Sequence, residues 1–422
     1  MKIVLVSTSD RKGGAAIACS RIFQALKKNG TDVKMLVRDK ISSDKDIYTL
    51  NTNIFYKILN FLSFSLERLQ ILLKLKFRRK YLFHISLDNF GAVNLLKNPL
   101  IKEADVINFH WTSQGLLSLK QLEKLLLANK KIVFTMHDMH YFTGICHYAR
   151  KCENYKTGCG NCQFLNFGKD KNDLSKRYFK KKLELPDRHK IFFISCSNWL
   201  KNIAKSSLIF SNSQVFSIPN PIDTEVFKPS DKNLARKKFG IEKKYVILFG
   251  AVKITDKRKG FKFLAQALKN IYEKNSNIAK DIELLIFGSG TSQAVKNLPF
   301  PCKSTGYIGS EEDISMVYNA SDVYVTPSLE DNLPNTVMEA LSCAVPCVAF
   351  NTGGLPQLID NGQNGYLAPL RDSNALAECI LNVILNKNYT ELCHNARNKV
   401  EANFSQTVIA MKYNEIYRQV SI

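Results

Sequence analysis

Nowhere in its 422 positions does the sequence hold a run of about 18 apolar residues, the length that marks a membrane-spanning helix. Its opening, MKIVLVSTSDRKGG, turns polar too soon for a secretory signal, which needs a longer apolar stretch. Acidic residues are scarce, with 37 Asp and Glu against 60 Lys and Arg, a net charge of +23. No full GxGxxG fingerprint is present, so a dinucleotide cofactor has little support. No RNA- or DNA-binding motif is recognisable either. The eleven cysteines, an odd number in a long chain, suit a reducing cytoplasm better than a disulfide scaffold. The apolar and charged fractions, 45% and 23%, exclude wholesale disorder and a collagen-like fibre. What is left is a globular chain long enough for two or three domains of roughly 100–200 residues each.

The charge is unevenly placed. Residues 1–220 carry 37 Lys and Arg against 16 Asp and Glu, whereas residues 221–422 carry 23 against 21. A basic half suits an anionic partner such as nucleic acid or an anionic membrane leaflet. A Lys- and Asn-rich composition inherited from an AT-rich genome is the plainer reading of the same excess.

Apolar runs organise both halves. KIVLVS (2–7) reads as a buried strand, followed by Gly13 and Gly14 and by a helical spacing of Ile17, Ile22, Phe23 and Leu26 that ends at Gly30. With DVKMLV next, this is a βαβ opening. ADVINFHW (104–111), KKIVFTMHD (130–138) and KIFFISCS (190–197) continue the strand series. Residues 206–230, rich in Ser, Asn and Pro, read as a linker. YVILFGA, ELLIFGSG, DVYVTPS and VPCVAFN then begin a second alternation of strands and helices. The pattern predicts an α/β chain of two Rossmann-like, doubly wound domains, 1–215 and 216–403, facing a cleft, with a closing helix at 404–422 that crosses back to the first domain. Ligands of such sheets sit beyond the carboxyl ends of the strands.

One stretch departs from the alternation. Residues 54–83 are apolar and aromatic, with Lys57, Arg68, Lys74, Lys76, Arg78, Arg79 and Lys80 against Glu67 alone. That is the profile of an amphipathic helix on an anionic membrane surface. A core-covering helix with a solvated basic end is the alternative.

Chemistry concentrates in 325–349, VTPSLEDNLPNTVMEALSCAVPCVA. A strand ends near Thr326, and a helix begins near Asn335 and Thr336 after Pro334. Its free N–H groups suit a diphosphate. Glu339, one turn in, can accept hydrogen bonds from two ribose hydroxyls, and Asp331 in the preceding loop can grip a transferred group. A helix cap and a solvated acid would account for the same two residues.

In this context the chain resembles the family-4 retaining glycosyltransferases of the GT-B fold, along nearly its whole length. The acid–seven–acid motif stands as Asp331…Glu339, with Asp where the family usually has Glu; neighbouring Glu330 is a substitute for the sugar contact. IPNPIDTEVFKP (218–229) is similar to the family's linker signature, TGYIGSEEDISMVYNASDVYVTPS to the approach to the donor, and NTGGLPQLIDNGQNGYLAP (351–369) to the following Gly-rich loop. Within the family the likeness is to colanic-acid, O-antigen and capsule sugar transferases of bacteria. It rests on the GGAA turn, INFHW and MHDMHYFTGICHY.

The resemblance implies roles. Lys259, before Gly260, is similar to the family's phosphate-binding lysine, and Lys253 is the candidate second cation; such a pair offsets charge growing on a leaving diphosphate. Asn332, Leu333, Asn335 and Thr336 fall on the donor side. Gly14, lacking a side chain, lets backbone approach a phosphate or acceptor closely, or simply makes a tight turn. His137, paired with Asp138, is similar to the family histidine that lies against the donor sugar. His110 is an acceptor contact or a packing residue. His137, Asp331 and Glu339 are therefore the catalytic set, with Asp138 and His110 towards the acceptor.

Four cysteines, Cys146, Cys152, Cys159 and Cys162, fall close together, the last two as C-G-N-C. They read either as a structural tetrahedral zinc site or as free thiols, without a catalytic role.

The resulting expectation is a retaining, metal-independent hexosyltransferase that needs no cofactor for catalysis. It would move sugar from a nucleotide-diphospho-sugar to a polyprenyl-diphosphate-linked glycan in O-antigen, capsule or exopolysaccharide synthesis. It would be cytoplasmic and peripheral on the inner face of the membrane, with no nucleic-acid partner. A sugar-nucleotide epimerase or hydrolase of similar fold, or a non-enzymatic binder of anionic surfaces, is the competing expectation.

Overall fold

The computed structural model describes residues 1–421 apart from 92, 166–169, 186–189, 212, 254–255 and 290–294; for 251–253 it describes the backbone alone. The chain divides into two compact units. Unit 1 comprises Met1–Pro219 with Ile409–Ile422, and unit 2 comprises Asn220–Val408.

Unit 1 is built on seven strands: β1 (Ile3–Ser9), β2 (Val33–Asp39), β3 (Ile47–Thr49), β4 (Val106–Phe109), β5 (Lys131–Met136), β6 (Ile191–Ser195) and β7 (Val215–Ser217). They form one parallel sheet in the order β3-β2-β1-β4-β5-β6-β7. Strands such as IVLVSTS and VINF are buried along their whole length because helices cover both sheet faces. Helix α1 (Gly14–Lys28) buries Ile22, Phe23 and Leu26 on one face. Leu36, Ile107 and Phe134 pack in the core on the other.

Unit 2 repeats the plan with six parallel strands: β8 (Tyr245–Lys253), β9 (Ile282–Ser289), β10 (Cys302–Gly306), β11 (Val323–Thr326), β12 (Cys347–Phe350) and β13 (Gly365–Ala368). Their order is β10-β9-β8-β11-β12-β13. Each sheet reverses its winding once, between β1 and β4 in unit 1 and between β8 and β11 in unit 2. Those switch points open a crevice beyond the strand ends, where ligands of doubly wound sheets bind.

Three features depart from the sequence expectation. The 206–230 stretch is not simply a linker: its Val-Phe-Ser pairs Phe193 with Val215 and forms the edge strand β7. The first unit therefore runs to Pro219 rather than 215. The short strands β3, β10 and β13 went unread because three to five residues carry too little periodicity to be seen without partners. The last helix, α5 (Gln406–Ser421), begins later than 404, and Ile409, Tyr413, Ile416 and Tyr417 join the core of unit 1. There Asn108 Nδ2 donates to Tyr417 Oη at 2.8 Å, satisfying a buried amide at the centre of the sheet.

Candidate functional site

In unit 2 the chemistry gathers at the end of β11. The 327–334 loop leads into α4 (Asn335–Ser342), which follows Pro334. Two glycines let neighbouring chain come against this loop. Gly260 has φ +71°, and a Cβ there would meet the Pro327 carbonyl oxygen at 1.8 Å. Gly353 has φ +61°, and its Cβ would meet the Asp331 carbonyl oxygen at 2.0 Å. Only glycine accommodates both the conformation and the approach. Leu329 N donates to Arg258 O at 2.8 Å and Gly354 N to Asp331 O at 3.0 Å, closing the loop from both sides.

That closure brings Lys259 to Asp331. Lys259 Nζ donates to Asp331 Oδ2 at 2.7 Å. Arg258 Nη1 lies 3.5 Å from the same oxygen and donates to Glu330 O at 2.7 Å. Asn332 N donates to Asp331 Oδ1 at 3.2 Å. Burial by itself would raise the Asp331 pKa, but the Lys259 and Arg258 charges outweigh it and hold the carboxyl at about 2. It is a carboxylate at any physiological pH. Asn332 and Leu333 are buried beside it.

Glu339 sits buried in the second turn of α4 and accepts a 2.9 Å hydrogen bond from Tyr318 Oη. Burial pushes the Tyr318 phenol well up, so it keeps its proton and remains a donor. At the start of α4, Asn335 Oδ1 accepts from Asn220 Nδ2 at 3.1 Å, which ties the helix to the 218–229 segment. Arg397 secures the same segment by donating to Phe227 O at 2.7 Å and Thr224 O at 3.0 Å. Thr336 is half-buried on the same turn. Lys253 closes β8, but its side chain lies outside the described residues.

In unit 1 the expected residues fall at three strand ends. Gly14 opens α1 beyond β1. It is exposed, and nothing lies within 4 Å of where its Cβ would be. The protein itself therefore does not require glycine at 14. His110 follows β4 and His137 follows β5. Their Nδ1 and Nε2 atoms share a hydrogen bond at 3.1 Å, and the rings stack. His137 Nδ1 lies 3.3 Å from Cys196 Sγ. Burial lowers both imidazoles, His137 to about 4. The pair is neutral at pH 7, so His137 is placed to exchange hydrogen bonds rather than to act as a cation. Among the described residues His110 Nε2 is buried without a hydrogen-bond partner.

Asp138 is held by Trp111 Nε1 at 3.1 Å, His140 N at 2.9 Å and His147 Nδ1 at 2.7 Å. Burial would raise its pKa, but the His147 charge and hydrogen bond outweigh it and hold it at about 2. The His137 ring meets His110 and Cys196. The two Asp138 oxygens are taken up by Trp111, His140 and His147.

Sequence reading missed the rest of this network. Lys182 Nζ, buried, lies 3.0 Å from Asp88 Oδ2 and donates to His140 O at 2.7 Å, while His140 Nε2 meets Asp88 Oδ1 at 2.8 Å. Asp88 and Lys182 are far apart in sequence and belong to no motif, so no signal in the sequence joins them. Arg258, next to Lys259, and Tyr318, within the TGYIGSEEDISMVYNASDVYVTPS stretch, received no role, because their contacts with Asp331 and Glu339 join positions far apart in sequence.

Cys146, Cys152, Cys159 and Cys162 are free thiols. Burial and the neighbouring thiols raise Cys146 strongly, and burial pushes Cys159 up to about 12 and Cys162 to about 11. Among the described residues no three Cys, His, Asp or Glu side chains are grouped to hold a metal ion.

Comparison with known proteins bears on family and fold. Residues 243–386 match the family model described as "Glycosyl transferases group 1". The chain is 29% identical over 227 residues to a UDP-Gal:alpha-D-GlcNAc-diphosphoundecaprenol alpha-1,3-galactosyltransferase of Escherichia coli, a match that covers 51% of this chain and 57% of the relative. It spans about half the length of the curated relatives it matches. Among solved structures, a sucrose-phosphate synthase from Thermosynechococcus elongatus superposes with a TM-score of 0.68 at 20% identity, covering 100% of this chain and 99% of its own. Anabaena HepE, crystallised with UDP, gives 0.64 at 16% identity over 99% of this chain and 100% of its own. At these identities the structural likeness establishes fold alone, and the fold is GT-B, with two parallel-sheet Rossmann-like units.

Proposed function

We propose that the chain is a retaining, metal-independent glycosyltransferase. It would transfer a hexose from a nucleotide-diphospho-sugar to a polyprenyl-diphosphate-linked glycan during synthesis of a bacterial surface polysaccharide. The observation that carries the reading is the constellation of Lys259, Asp331 and Glu339 at the end of β11, within the segment that matches the group 1 glycosyltransferase model. The galactosyltransferase relative, whose name gives a UDP-sugar donor and a diphosphoundecaprenol acceptor, supports the substrate classes.

In this reading Glu339 accepts hydrogen bonds from the ribose hydroxyls, and the α4 N–H groups with Asn335 and Thr336 receive the diphosphate. Lys259 supplies positive charge to the leaving group, and Asp331, with Asn332 and Leu333 beside it, contacts the sugar. Cations fixed in place before reaction stabilise the departing diphosphate with little reorganisation. The bond from the anomeric carbon to the diphosphate oxygen breaks, and a bond to the acceptor oxygen forms on the same face. The acceptor proton passes to the leaving phosphate. Of the unit 1 residues, the reading gives His137 the donor sugar, Gly14 a phosphate or the acceptor, and His110 with Asp138 the acceptor.

The test is thermal unfolding and calorimetry with UDP- and GDP-sugars in the presence of chelator. A ligand at 100 times its dissociation constant adds about 2.7 kcal/mol of stability. One nucleotide class is expected to stabilise the protein, undiminished by chelator. Glu339→Gln is expected to weaken that nucleotide at least ~10-fold, the scale of a lost charge-assisted hydrogen bond, while circular dichroism stays unchanged. No response to any nucleotide sugar from a folded sample would remove the reading in favour of the anionic-surface binder.

A further inference from the structure

Helix α2 (Ile54–Lys74) carries its amphipathicity inside out. The side turned to unit 1 is mainly polar: Asn60, Ser63, Glu67 and Arg68 are buried there with Ile71. Each of the four polar side chains is hydrogen-bonded inward. Asn60 Nδ2 donates to Asn51 Oδ1 at 2.7 Å, and Ser63 Oγ to Gly115 O at 2.8 Å. Glu67 Oε1 accepts from Leu87 N at 2.7 Å, and Arg68 Nη1 donates to Leu82 O at 2.6 Å. Glu67 and Arg68 also pair with each other at 2.7 Å.

The side turned to solvent is apolar. Ile58, Phe61, Leu62, Leu66, Leu69 and Leu73 are all exposed, at the i, i+3, i+4, i+7 spacing of one helix face. Ile54 is 71% exposed and Phe61 66%, whereas Glu67 is 0% exposed. Large contiguous apolar patches are rare on soluble monomers and mark interaction surfaces. Removing that outer face from water against something apolar is favourable.

Charge chooses the occupant. The helix runs into exposed Lys74, Lys76, Arg78, Arg79 and Lys80, and between 54 and 83 the only acid is the buried Glu67. A protein partner of ordinary surface does not ask for five cations beside an uninterrupted leucine face; an anionic bilayer asks for both. We infer that α2 lies in the headgroup region of an anionic membrane. Its outer face would be sunk into the acyl boundary and the 74–80 cluster would lie over anionic lipid.

The helix, about 31 Å long at 1.5 Å per residue, lies on the bilayer rather than through it, because one side is hydrogen-bonded to unit 1. Among the described residues no helix is long and apolar enough to cross a membrane. The inner face also reaches the site already described. Arg68 Nη2 donates to Ser86 Oγ at 3.2 Å, Ser86 Oγ meets His147 Nε2 at 3.0 Å, and His147 Nδ1 meets Asp138 Oδ2 at 2.7 Å. Three hydrogen bonds therefore join the docking helix to the residue next to His137. The inference stands on α2 alone and needs no nucleotide sugar.

The experiment is vesicle flotation of the full chain, without nucleotide, on phosphatidylcholine vesicles with and without about a third phosphatidylglycerol, the anionic component. Two variants accompany it: Phe61→Ser with Leu62→Ser, Leu66→Ser and Leu69→Ser, and a second with Lys74, Lys76, Arg78, Arg79 and Lys80 all replaced by Gln. The wild type is expected to float with anionic vesicles and at least ~10-fold less with neutral ones, and each variant to lose at least ~10-fold. Both variants alter exposed side chains, so their melting temperatures should match the wild type. A wild type that stays behind with both vesicle types overturns the inference. So does a concentration-dependent dimer that the serine variant dissolves without any vesicle binding, since a second copy would then cover the face. Vesicle binding without any nucleotide-sugar response would leave the docking helix standing and remove only the transferase reading.

Discussion

Lys259 Nζ and Asp331 Oδ2 meet at 2.7 Å across the loop that follows β11, with Arg258 Nη1 at 3.5 Å from the same oxygen. The pair joins the residue expected to hold the phosphate to the one expected to hold the sugar. Lys259 and Arg258 keep the Asp331 carboxyl ionised, and the contact fixes where the ammonium points. A donor that reaches Lys259 with its diphosphate thus finds the ammonium already oriented, which lowers the reorganisation needed for binding.

The pair sets a pH dependence. The folded Asp331 pKa, about 2, lies below the ordinary carboxylate value, so its contribution to stability is present above about pH 4 and is lost as pH falls towards 2. Lys259→Met leaves a buried carboxylate with only the more distant Arg258. It is expected to cost on the order of 3 kcal/mol at pH 7. Protonation of Asp331 relieves the variant first, so its deficit should narrow between pH 5 and 3. Denaturant unfolding at several pH values checks this; a deficit that stays constant would mean that Lys259 acts by packing rather than by charge.

The glycines separate two kinds of requirement. Gly260→Ala places a Cβ 1.8 Å from the Pro327 carbonyl oxygen at φ +71°, so the loop must move. A loss of several kcal/mol in unfolding free energy and weaker nucleotide binding are expected together, as strain at a special backbone position gives. Gly14→Ala meets nothing within 4 Å. Its melting temperature should not change, while transfer activity falls if ligand occupies that space. Equal stability loss at both positions would contradict the assignment.

The histidines of unit 1 predict an acid limb of a different origin. Burial lowers His110, His137 and His140, with His137 at about 4. The unfolded chain binds these protons first, so stability is full above about pH 6.5 and falls as pH drops towards 4. Replacing His110 and His137 together by Gln should flatten the dependence of the unfolding midpoint across that window. An unchanged slope would place the acid sensitivity elsewhere.

What the sequence determined by itself is the repeated strand–helix order, the two-domain plan, the start of α4 and the candidacy of Lys259, Asp331 and Glu339. These are local signals: buried parallel strands read as continuous apolar runs, and a helix start is written in the residues around it. The amphipathic character of 54–83 was equally legible, but which of its faces is buried was not. Periodicity shows that two faces differ; only the hydrogen bonds of Glu67, Arg68 and Ser63 to unit 1 decide that the polar one points inward. The pairing of Lys259 with Asp331, the neutral His110–His137 pair and the Asp88–Lys182 contact arise from tertiary structure. Each depends on where chain segments distant in sequence, or the turns of a folded loop, bring side-chain atoms to within about 3 Å. Residue spacing along a chain carries no such distance, because the sheet order and the loop closures that set it are made only when the core packs.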